Sequence, residues 1–508
     1  MMRRMPLFLP SPTMKNHSLC MIQSALCLAA AASSSFSKPH PNSKLRLRQV
    51  LVVHRHGDRS PITPMKDEDY WAATLPTPRV LDGIAKGTTL VRPPEGGPKK
   101  HGAVGRGPFG QLTMMGLLQM VGLGERLKEE LEHYQHTDDD DEMESQFVNR
   151  GRLFTSEKPL HPSRVKVMST DFPRTVQSVQ ALLTGLFPDL NDDAPIEIDL
   201  QHTNAYFIPD PQPRQFAKQL SLESHLSKRP HLLEKEEKLK ELAHRVTDAL
   251  EDHLGDGAKG VSFGIGEEKD AVGSQEVSRQ PLAWAQLAEI LVCLQSRELL
   301  PSTLSEEDVQ AVSKHVAWRW FENLRHPVLA KSAMWKFADR LVNNMQHRVE
   351  VDDEQHDRHK ASTEIIVREE YEQECIEDPW LCIYSAHDST LIGLLCVLQL
   401  EQPSEWPEYG SALKIELIRE EEDGTGNTTT DGRTKVLQNW VRFSLNGQVL
   451  RSTWLTDNDN KPLSMVPLNL LADMIHSEHE LFDDQDVDGV GNSGLKYSWK
   501  DGLLKEYS

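Results

Sequence analysis

A short apolar run, Val50–Val53, leads directly into a cluster of basic residues. The run is too short for a helix and rich in β-branched residues, which favours a buried strand of a parallel sheet. Gly57 allows the backbone to turn sharply where this strand ends. We therefore expect Arg55, His56 and Arg59 on a tight loop beyond its carboxyl end, the edge where open α/β sheets bind ligands.

The residue types of this loop favour a phosphate ligand. A guanidinium group is a planar, permanently charged fork that matches two phosphate oxygens, and an imidazole can act as a nucleophile. The string Arg-His-Gly-Asp-Arg-Ser-Pro (55–61) resembles the signature of the histidine acid phosphatases, the long-chain branch of the histidine phosphatase superfamily. This resemblance implies that His56 is the nucleophile and that Arg55 and Arg59 bind the substrate phosphate.

A second predicted strand, Val165–Thr170, is followed at once by a helix, because Pro173 suits the first helical turn. Arg174 then lies in that turn, where unpaired N–H groups and the helix dipole favour an anion. The string Ser-Thr-Asp-x-x-Arg-Thr (169–175) resembles the block of the family that supplies a third phosphate-binding arginine.

A third junction follows the apolar run 380–384, which predicts another buried strand. The string Tyr-Ser-Ala-His-Asp-Ser-Thr (384–390) leads into a helix and resembles the second catalytic motif of the family. The resemblance implies that His387 binds phosphate and that Asp388 donates a proton. Asp388 is also suited to cap the helix, and the two roles are compatible.

Other blocks are predicted to be structural. The string Gly-Gln-Leu-Thr-x-x-Gly-x-x-Gln (110–119) resembles a further family block, in which Thr113 caps a helix that covers the sheet. The string Trp-Pro-Glu-Tyr-Gly-Ser (406–411) is also predicted to be structural. Residues 62–109 are dense in Pro, Gly and Lys and are predicted to form a long surface connection.

These elements predict an α/β protein with a three-layer α/β/α core, a mostly parallel sheet and an inserted α-helical cap domain. The cap follows from the family resemblance and from four amphipathic stretches: Leu232–Leu254, Leu282–Leu299, Glu306–Leu324 and Val328–Val349. The predicted organisation is a signal or transit peptide at 1–40, core at 41–200, cap at 201–370 and the second part of the core at 371–508.

The chain is acidic, with 56 basic against 77 acidic residues and a formal net charge of −21. The average field repels phosphate and argues against nucleic acid or an anionic membrane surface as a partner. A phosphate site therefore has to be a local basic cluster. No stretch is long and apolar enough to predict a membrane span.

Residues 1–57 contain no Asp or Glu, although the chain as a whole is acidic. Lys15 and the mainly apolar stretch Leu19–Ala32 are typical of a secretory signal, and the arginines and serines also suit a transit peptide. The predicted location is the secretory pathway (extracellular, lysosomal or vacuolar), with mitochondria as the alternative. Outside this leader, Cys293 and Cys396 are predicted to be small core residues.

No metal or cofactor is predicted. Side chains that can bind metals occur together in one acidic, aperiodic stretch, which is typical of a solvated surface: His347, Asp352, Asp353, His356 and His359. Residues 484–495 imitate a calcium loop, but Leu495 stands where a bidentate Glu is needed. In the predicted chemistry the arginines take the place of a metal as the electrostatic clamp.

Together the motifs predict a metal-independent acid phosphatase that hydrolyses phosphomonoesters through a covalent phosphohistidine. Protonation of Asp388 as the donor predicts an acidic optimum. Lysophosphatidic acid and inositol phosphate phosphatases of the same family are alternatives, so a lysophospholipid is one candidate substrate. Asp58, as an acidic residue beside the pocket, is expected to disfavour substrates with many phosphates. A non-catalytic phosphate-binding protein is the alternative from a different class.

Overall fold

The computed structural model describes the following residues of the chain: 39, 43–91, 107–132, 160–201, 229–258, 280–361, 379–422, 436–457 and 459–476. The predicted leader lies outside them except for residue 39, and the calcium-like stretch 484–495 lies wholly outside them.

Within these residues nine strands form one mixed sheet. The strands are β1 (Ser43–Arg55), β2 (Thr88–Val91), β3 (Val165–Thr170), β4 (Ile196–Gln201), β5 (Leu381–Ala386), β6 (Ala412–Glu422), β7 (Val436–Leu445), β8 (Gln448–Leu450) and β9 (Met465–Pro467). Their order is β2-β4-β3-β5-β1-β6-β7-β8, and β9 pairs with β7. The strands from β2 to β1 run parallel, whereas those from β6 onward pair antiparallel.

The α-helices of the described residues are α1 (Glu68–Ala73), α2 (Pro78–Ala85), α3 (Met114–Glu132), α4 (Pro173–Leu186), α5 (Pro230–Leu250), α6 (Trp284–Gln295), α7 (Glu306–Leu324), α8 (Pro327–Ala361), α9 (Asp388–Val397) and α10 (Leu468–His476). The helix α3 begins directly after Thr113, whose hydroxyl accepts from the N–H of Gly116 at 3.2 Å.

The two faces of β1 pack into different cores. Val50 and Val52 pack with residues of α3 and α4, and Leu51 and Val53 pack with residues of α8, α9 and α10. This alternation follows from the period of two along a strand, and it places a helical layer on each side of the sheet. The predicted α/β class is confirmed, with parallel pairing in the half of the sheet that carries the predicted site.

A third core joins α5, α6 and part of α7 to residues of the segment 62–109, including Trp71 and Phe109. The predicted helical region 201–370 contains α5 to α8, but α8 packs in the core next to the sheet and not with α5 and α6. The division of the chain into domains stays a prediction.

Two stretches differ from the sequence expectation. The segment 62–109 carries α1, α2 and β2, and β2 extends the parallel sheet beside β4. The helix α8 continues to Ala361, through the stretch predicted to be aperiodic. Its carboxyl half is held by ion pairs, because Asp352 contacts Arg48 and Arg348, each at 2.5 Å. In the part of the chain described, no helix has the length and apolar character needed to cross a membrane.

Candidate active site

The three predicted junctions meet at one edge of the sheet. The strand β5 lies between β1 and β3 and is parallel to both, with Arg55 opposite Ala386 and Ser169 opposite Ser385. The carboxyl ends of the three strands are therefore level. Arg55 is the last residue of β1, and the segments that follow the three strands carry the other five predicted site residues: His56, Arg59, Arg174, His387 and Asp388.

His56 is buried, with 2% of its surface exposed. Its Nδ1 lies 2.8 Å from the carbonyl oxygen of Gly57. A carbonyl oxygen can only accept, so Nδ1 donates and Nε2 carries the lone pair. Burial lowers the pKa of this imidazole well below its usual range, and the positive charges of Arg174 and Arg55 lower it further. His56 is therefore a neutral imidazole even in acid.

Arg55 connects the first junction to the third. Its guanidinium forms an ion pair with Asp388 at 2.8 Å and donates to the carbonyl oxygen of Pro407 at 2.6 Å. The same group lies 4.0 Å from the ring centroid of Tyr409, a cation–π distance. The Tyr409 ring also lies 5.7 Å from that of His56, so it borders the predicted nucleophile.

Arg59 pairs with Glu289 of α6, at 2.9 Å. The Glu289 carboxylate also accepts from the backbone N–H groups of Ile62, at 3.2 Å, and Thr63, at 2.8 Å. This single side chain thus fixes both the guanidinium and the backbone that follows it.

Arg174 differs from the other arginines of the site. It is 7% exposed, and its guanidinium lies 4.4 Å from the ring centroid of Phe172. Among the described residues it has no hydrogen-bond or ion-pair partner, and its buried Nε is unsatisfied. Burial lowers its pKa to about 9, with a further contribution from Arg59. A buried guanidinium without an anion is a strong attractor for one.

His387 and Asp388 open the helix α9. Nε2 of His387 is 3.1 Å from the hydroxyl of Thr170, and its ring is 5.6 Å from that of His56. Burial lowers the pKa of His387 well below its usual range, and Arg174 adds to this. Asp388 accepts from Nε1 of Trp406 at 3.0 Å.

The pKa of Asp388 results from opposing effects. Burial raises it, but the positive charge of Arg55 and the hydrogen bond from Trp406 outweigh burial and hold the pKa below its usual value. The ligand-free site therefore contains an ionised Asp388 in mild acid. Before a ligand binds, Asp388 therefore lacks the proton that the sequence analysis expects it to donate.

The loop that carries His56 rests on α3 through two glycines. A Cβ on Gly57 would lie 2.3 Å from the carbonyl oxygen of Gly116, and a Cβ on Gly116 would lie 2.1 Å from the carbonyl oxygen of Asp58. Gln119 accepts from the N–H of Asp58 at 2.9 Å. The block 110–119 is therefore scaffold for the site loop itself, and Gly57 is needed for close approach to α3.

The expectation for Asp58 is wrong. Its side chain is completely buried, pairs with Arg297 at 2.5 Å and accepts from the hydroxyl of Thr113. Because its charge is compensated within the fold, Asp58 does not act as an acidic residue on the wall of an open pocket.

Comparison with known proteins identifies the family. Residues 46–446 match the model of the histidine phosphatase superfamily (branch 2). The chain belongs to this superfamily. The predicted family and the predicted class of activity, phosphomonoester hydrolysis, are confirmed.

Several known proteins are similar to this histidine phosphatase. Counting factor 60 of Dictyostelium discoideum is 24% identical over 392 residues, which cover 75% of this chain and 78% of that protein. Lysophosphatidic acid phosphatase type 6 of Bos taurus is 29% identical over 36% of this chain and 41% of its own length. Lysosomal acid phosphatase of Homo sapiens is 30% identical over 29% of this chain and 23% of its own length. The matched region thus spans less than half of either phosphatase.

Among solved structures, the phytase from Citrobacter braakii has a TM-score of 0.46 and 15% sequence identity, covering 85% of this chain and 98% of that one. The multiple inositol polyphosphate phosphatase of Bifidobacterium longum has a TM-score of 0.46 and 11% identity, covering 88% and 95%.

Two parts of this histidine phosphatase site were missed by sequence reasoning. The stretch 406–411 was expected to be structural, yet Trp406 and Tyr409 contact Asp388 and Arg55 directly. The partners Glu289 and Arg297 come from α6 and its carboxyl end. Polar residues at positions 286, 289 and 297 recur at helical spacing. This signal marks one helix face but does not show what that face contacts.

Cys293 lies on the same face of α6. Its thiol lies 3.4 Å from the carbonyl oxygen of Arg59 and 3.5 Å from the hydroxyl of Tyr409. Burial raises the pKa of this thiol to about 12, so it is a neutral packing group, as predicted for a core cysteine. Among the described residues no group of three potential metal ligands occurs.

Proposed function

We propose that this site hydrolyses phosphomonoesters in two steps, with His56 as the covalent nucleophile. The observation that carries the proposal is the pairing of two features in one buried place. Nε2 of His56 has its lone pair available because Nδ1 donates to Gly57, and Arg174 has no anionic partner among the described residues. A phosphoryl group bound between them would satisfy the guanidinium and present phosphorus to the nucleophile.

In the first step Nε2 of His56 forms a bond to phosphorus while the bond from phosphorus to the ester oxygen breaks. Arg55, Arg59, Arg174 and His387 hold the non-bridging oxygens and stabilise the charge of the transition state. Asp388, once protonated, gives its proton to the departing oxygen, so that an alcohol leaves.

In the second step a water molecule replaces the alcohol. Asp388 is now ionised and accepts a proton from this water as the water oxygen bonds to phosphorus. The bond between phosphorus and Nε2 breaks, and His56 returns to its neutral form with Nδ1 protonated. Inorganic phosphate then leaves the site.

A lysophospholipid is the candidate substrate that one further observation favours. Phe172, Trp406 and Tyr409 place aromatic rings beside Arg174, Asp388 and Arg55. Trp406 contacts the carboxylate that protonates the leaving oxygen, so it adjoins the position of the leaving group. An aromatic border suits an apolar or acyl-bearing leaving group better than a heavily charged inositol phosphate. The similarity to a lysophosphatidic acid phosphatase supports the same choice.

The compartment and the leader also remain proposals. We place the protein in the secretory pathway, on the basis of its amino-terminal sequence, with mitochondria as the alternative. The similarity to a lysosomal acid phosphatase supports the first.

The test of the proposal is to trap the phosphoenzyme. Wild type mixed with a ³²P-labelled monoester and quenched in alkali is expected to hold label that is stable to base and labile to acid, as a phosphohistidine is. His56→Ala is expected to hold none and to lose at least about 10³-fold in kcat. His347→Ala, which replaces an exposed histidine of α8, serves as the control and is expected to match wild type.

Two results would contradict the proposal. Appreciable turnover by His56→Ala would reject the nucleophile. Wild type that binds inorganic phosphate but neither turns over nor becomes labelled would favour the non-catalytic binding protein.

A further inference from the structure

The charges around the site nearly cancel. Three ion pairs with distances of 2.8, 2.9 and 2.5 Å account for most of them: Arg55 with Asp388, Arg59 with Glu289, and Arg297 with Asp58. Arg174 is the fourth arginine of the group and has no carboxylate partner among the described residues. His56 and His387 are neutral because burial lowers the pKa of each well below its usual range. The described part of the site therefore carries about one net positive charge.

Glu289 is the residue that sets this net charge. Asp388 has a chemical role of its own, and the pair of Asp58 with Arg297 lies behind the loop, in the fold. Glu289 instead cancels the charge of an arginine predicted to bind phosphate, and its other contacts are backbone N–H groups. Without its carboxylate, Arg59 would add a second uncompensated charge to the site.

The other groups that face Glu289 do not alter this count. Cys293 is one helical turn further along α6, and Tyr409 is in contact with that thiol. Burial raises the pKa of both, so both are uncharged in acid and at neutrality. Asp58 and Arg297 compensate each other.

We propose, on the basis of the function proposed above, that Glu289 makes the site bind a phosphate ester together with one proton, and that this requirement sets an acidic optimum. A phosphate monoanion matches the single net charge of the site, whereas a dianion would bring a second, uncompensated charge into a buried place. The second ionisation of a phosphomonoester lies at about pH 6, so the preferred form is lost above that pH.

The proton required by Asp388 then arrives with the substrate. In the ligand-free site Asp388 is ionised and paired with Arg55. When a phosphoryl group binds to Arg55, the proton that it carries is shared with Asp388 and is passed on to the leaving oxygen. The same proton is used when the ester binds, when Asp388 is protonated and when the alcohol leaves. Glu289 acts through Arg59 as a positioning residue: it cancels the charge of Arg59 and so sets the net charge of the site.

The binding of sulfate and inorganic phosphate tests the proposal on the intact wild-type chain. Sulfate is a dianion throughout the useful pH range, so calorimetry in buffers of different ionisation enthalpy is expected to show uptake of about one proton per sulfate bound. The affinity for inorganic phosphate is expected to fall about tenfold per pH unit above its second ionisation. Sulfate that binds without proton uptake would overturn the proposal, and this result needs no variant.

Variants of Glu289 distinguish control of the site's charge from a merely structural role. Glu289→Gln keeps the shape but removes the charge. It is expected to bind sulfate with little proton uptake. With nitrophenyl phosphate, whose leaving group needs little protonation, it is expected to shift the alkaline limb of kcat/KM upward by about one pH unit or more. Glu289→Asp keeps the charge and is expected to retain the wild-type pH profile even if it is less active. The matched control is Glu416→Gln, which also removes a buried carboxylate paired with an arginine, Arg442, at 2.5 Å. Glu416 lies opposite Val50, away from the carboxyl end of β1.

An unchanged pH profile in Glu289→Gln would also overturn the proposal. Failure of wild type to bind either anion would instead reject the phosphate site itself, and with it the proposed function. If Glu289→Gln does not fold, the proton uptake of wild type still decides the question.

Discussion

Each imidazole of the site is kept neutral by the place in which it is buried. His56 and His387 lie among three guanidinium groups, so a proton on either ring would be both desolvated and repelled. The proposed nucleophile, His56, therefore keeps its lone pair at a pH where an ordinary histidine would lose it. Low pH can reduce the activity of this enzyme by protonating its substrate or Asp388. It does not do so by protonating His56 near the ordinary pKa of an imidazole.

The donor role of Asp388 can be tested through the leaving group. Asp388→Asn removes the transferable proton but keeps the size of the side chain. We expect it to lower kcat for an alkyl phosphate by about 10²–10⁴-fold and to affect nitrophenyl phosphate much less, because nitrophenolate needs little protonation to leave. Steady-state rates on the two substrates, at the same pH, measure this difference. Equal losses on both would mean that Asp388 only orders Arg55 and the start of α9.

At the scale of elements, one face of α6 contacts the loop that carries His56, a loop that α3 also contacts. Gln286 bonds to Thr63, Glu289 to Arg59 and to the backbone of the loop, and Arg297 to Asp58. These contacts join a helix of the third core to the carboxyl end of β1. Contacts with both helices hold the loop, which explains how a segment without regular structure keeps Arg59 in place.

The contact between the loop and α3 gives a sharp prediction. Gly116→Ala would place a Cβ 2.1 Å from the carbonyl oxygen of Asp58, so the loop has to move. We expect a loss of about 1–3 kcal/mol in the free energy of unfolding and a fall in kcat/KM, since the displaced loop carries His56. Chemical denaturation and steady-state kinetics measure the two effects.

Gly122→Ala, in the same helix, is the matched control. Its Cβ would meet only the end of the Arg126 side chain, at 3.4 Å. We expect it to be neutral or to gain about 0.5–1 kcal/mol, the usual advantage of Ala over Gly within a helix. Similar effects of the two substitutions would show that the close approach of the loop to α3 is unimportant.

The sequence predicts those parts of the site that are local in the chain. A strand that runs into a helix or loop places Arg55, Arg174 and His387 at its own end, and parallel strands bring such ends together. Glu289 and Trp406 could not be predicted in this way. Glu289 contacts Arg59 from a helix more than a hundred residues away in the chain, and Trp406 contacts Asp388 from an irregular loop. In both cases only tertiary packing selects the partner.

At the scale of the whole molecule, a buried histidine next to the candidate site, His54, makes the fold less stable in acid. His54 is completely buried in β1, and burial lowers its pKa from 6.5 to about 4, although its Nδ1 lies 3.1 Å from the carbonyl oxygen of Arg55. The unfolded chain therefore binds a proton that the folded chain excludes. Stability from this group is complete above about pH 6.5 and is lost as the pH falls toward about 4.

The size of this effect can be measured with His54→Gln. The shift from 6.5 to about 4 corresponds to about 3 kcal/mol, so wild type is expected to lose about that much more unfolding free energy than the variant between pH 7 and pH 4. His347→Gln, at an exposed site, is expected to follow wild type. Parallel loss in wild type and His54→Gln would show that His54 is not the source.

Because inorganic phosphate binds only the folded site, saturation at about 100 times its Kd is expected to restore about 2.7 kcal/mol. Occupation of the site would then offset most of the stability that the fold loses in acid through His54.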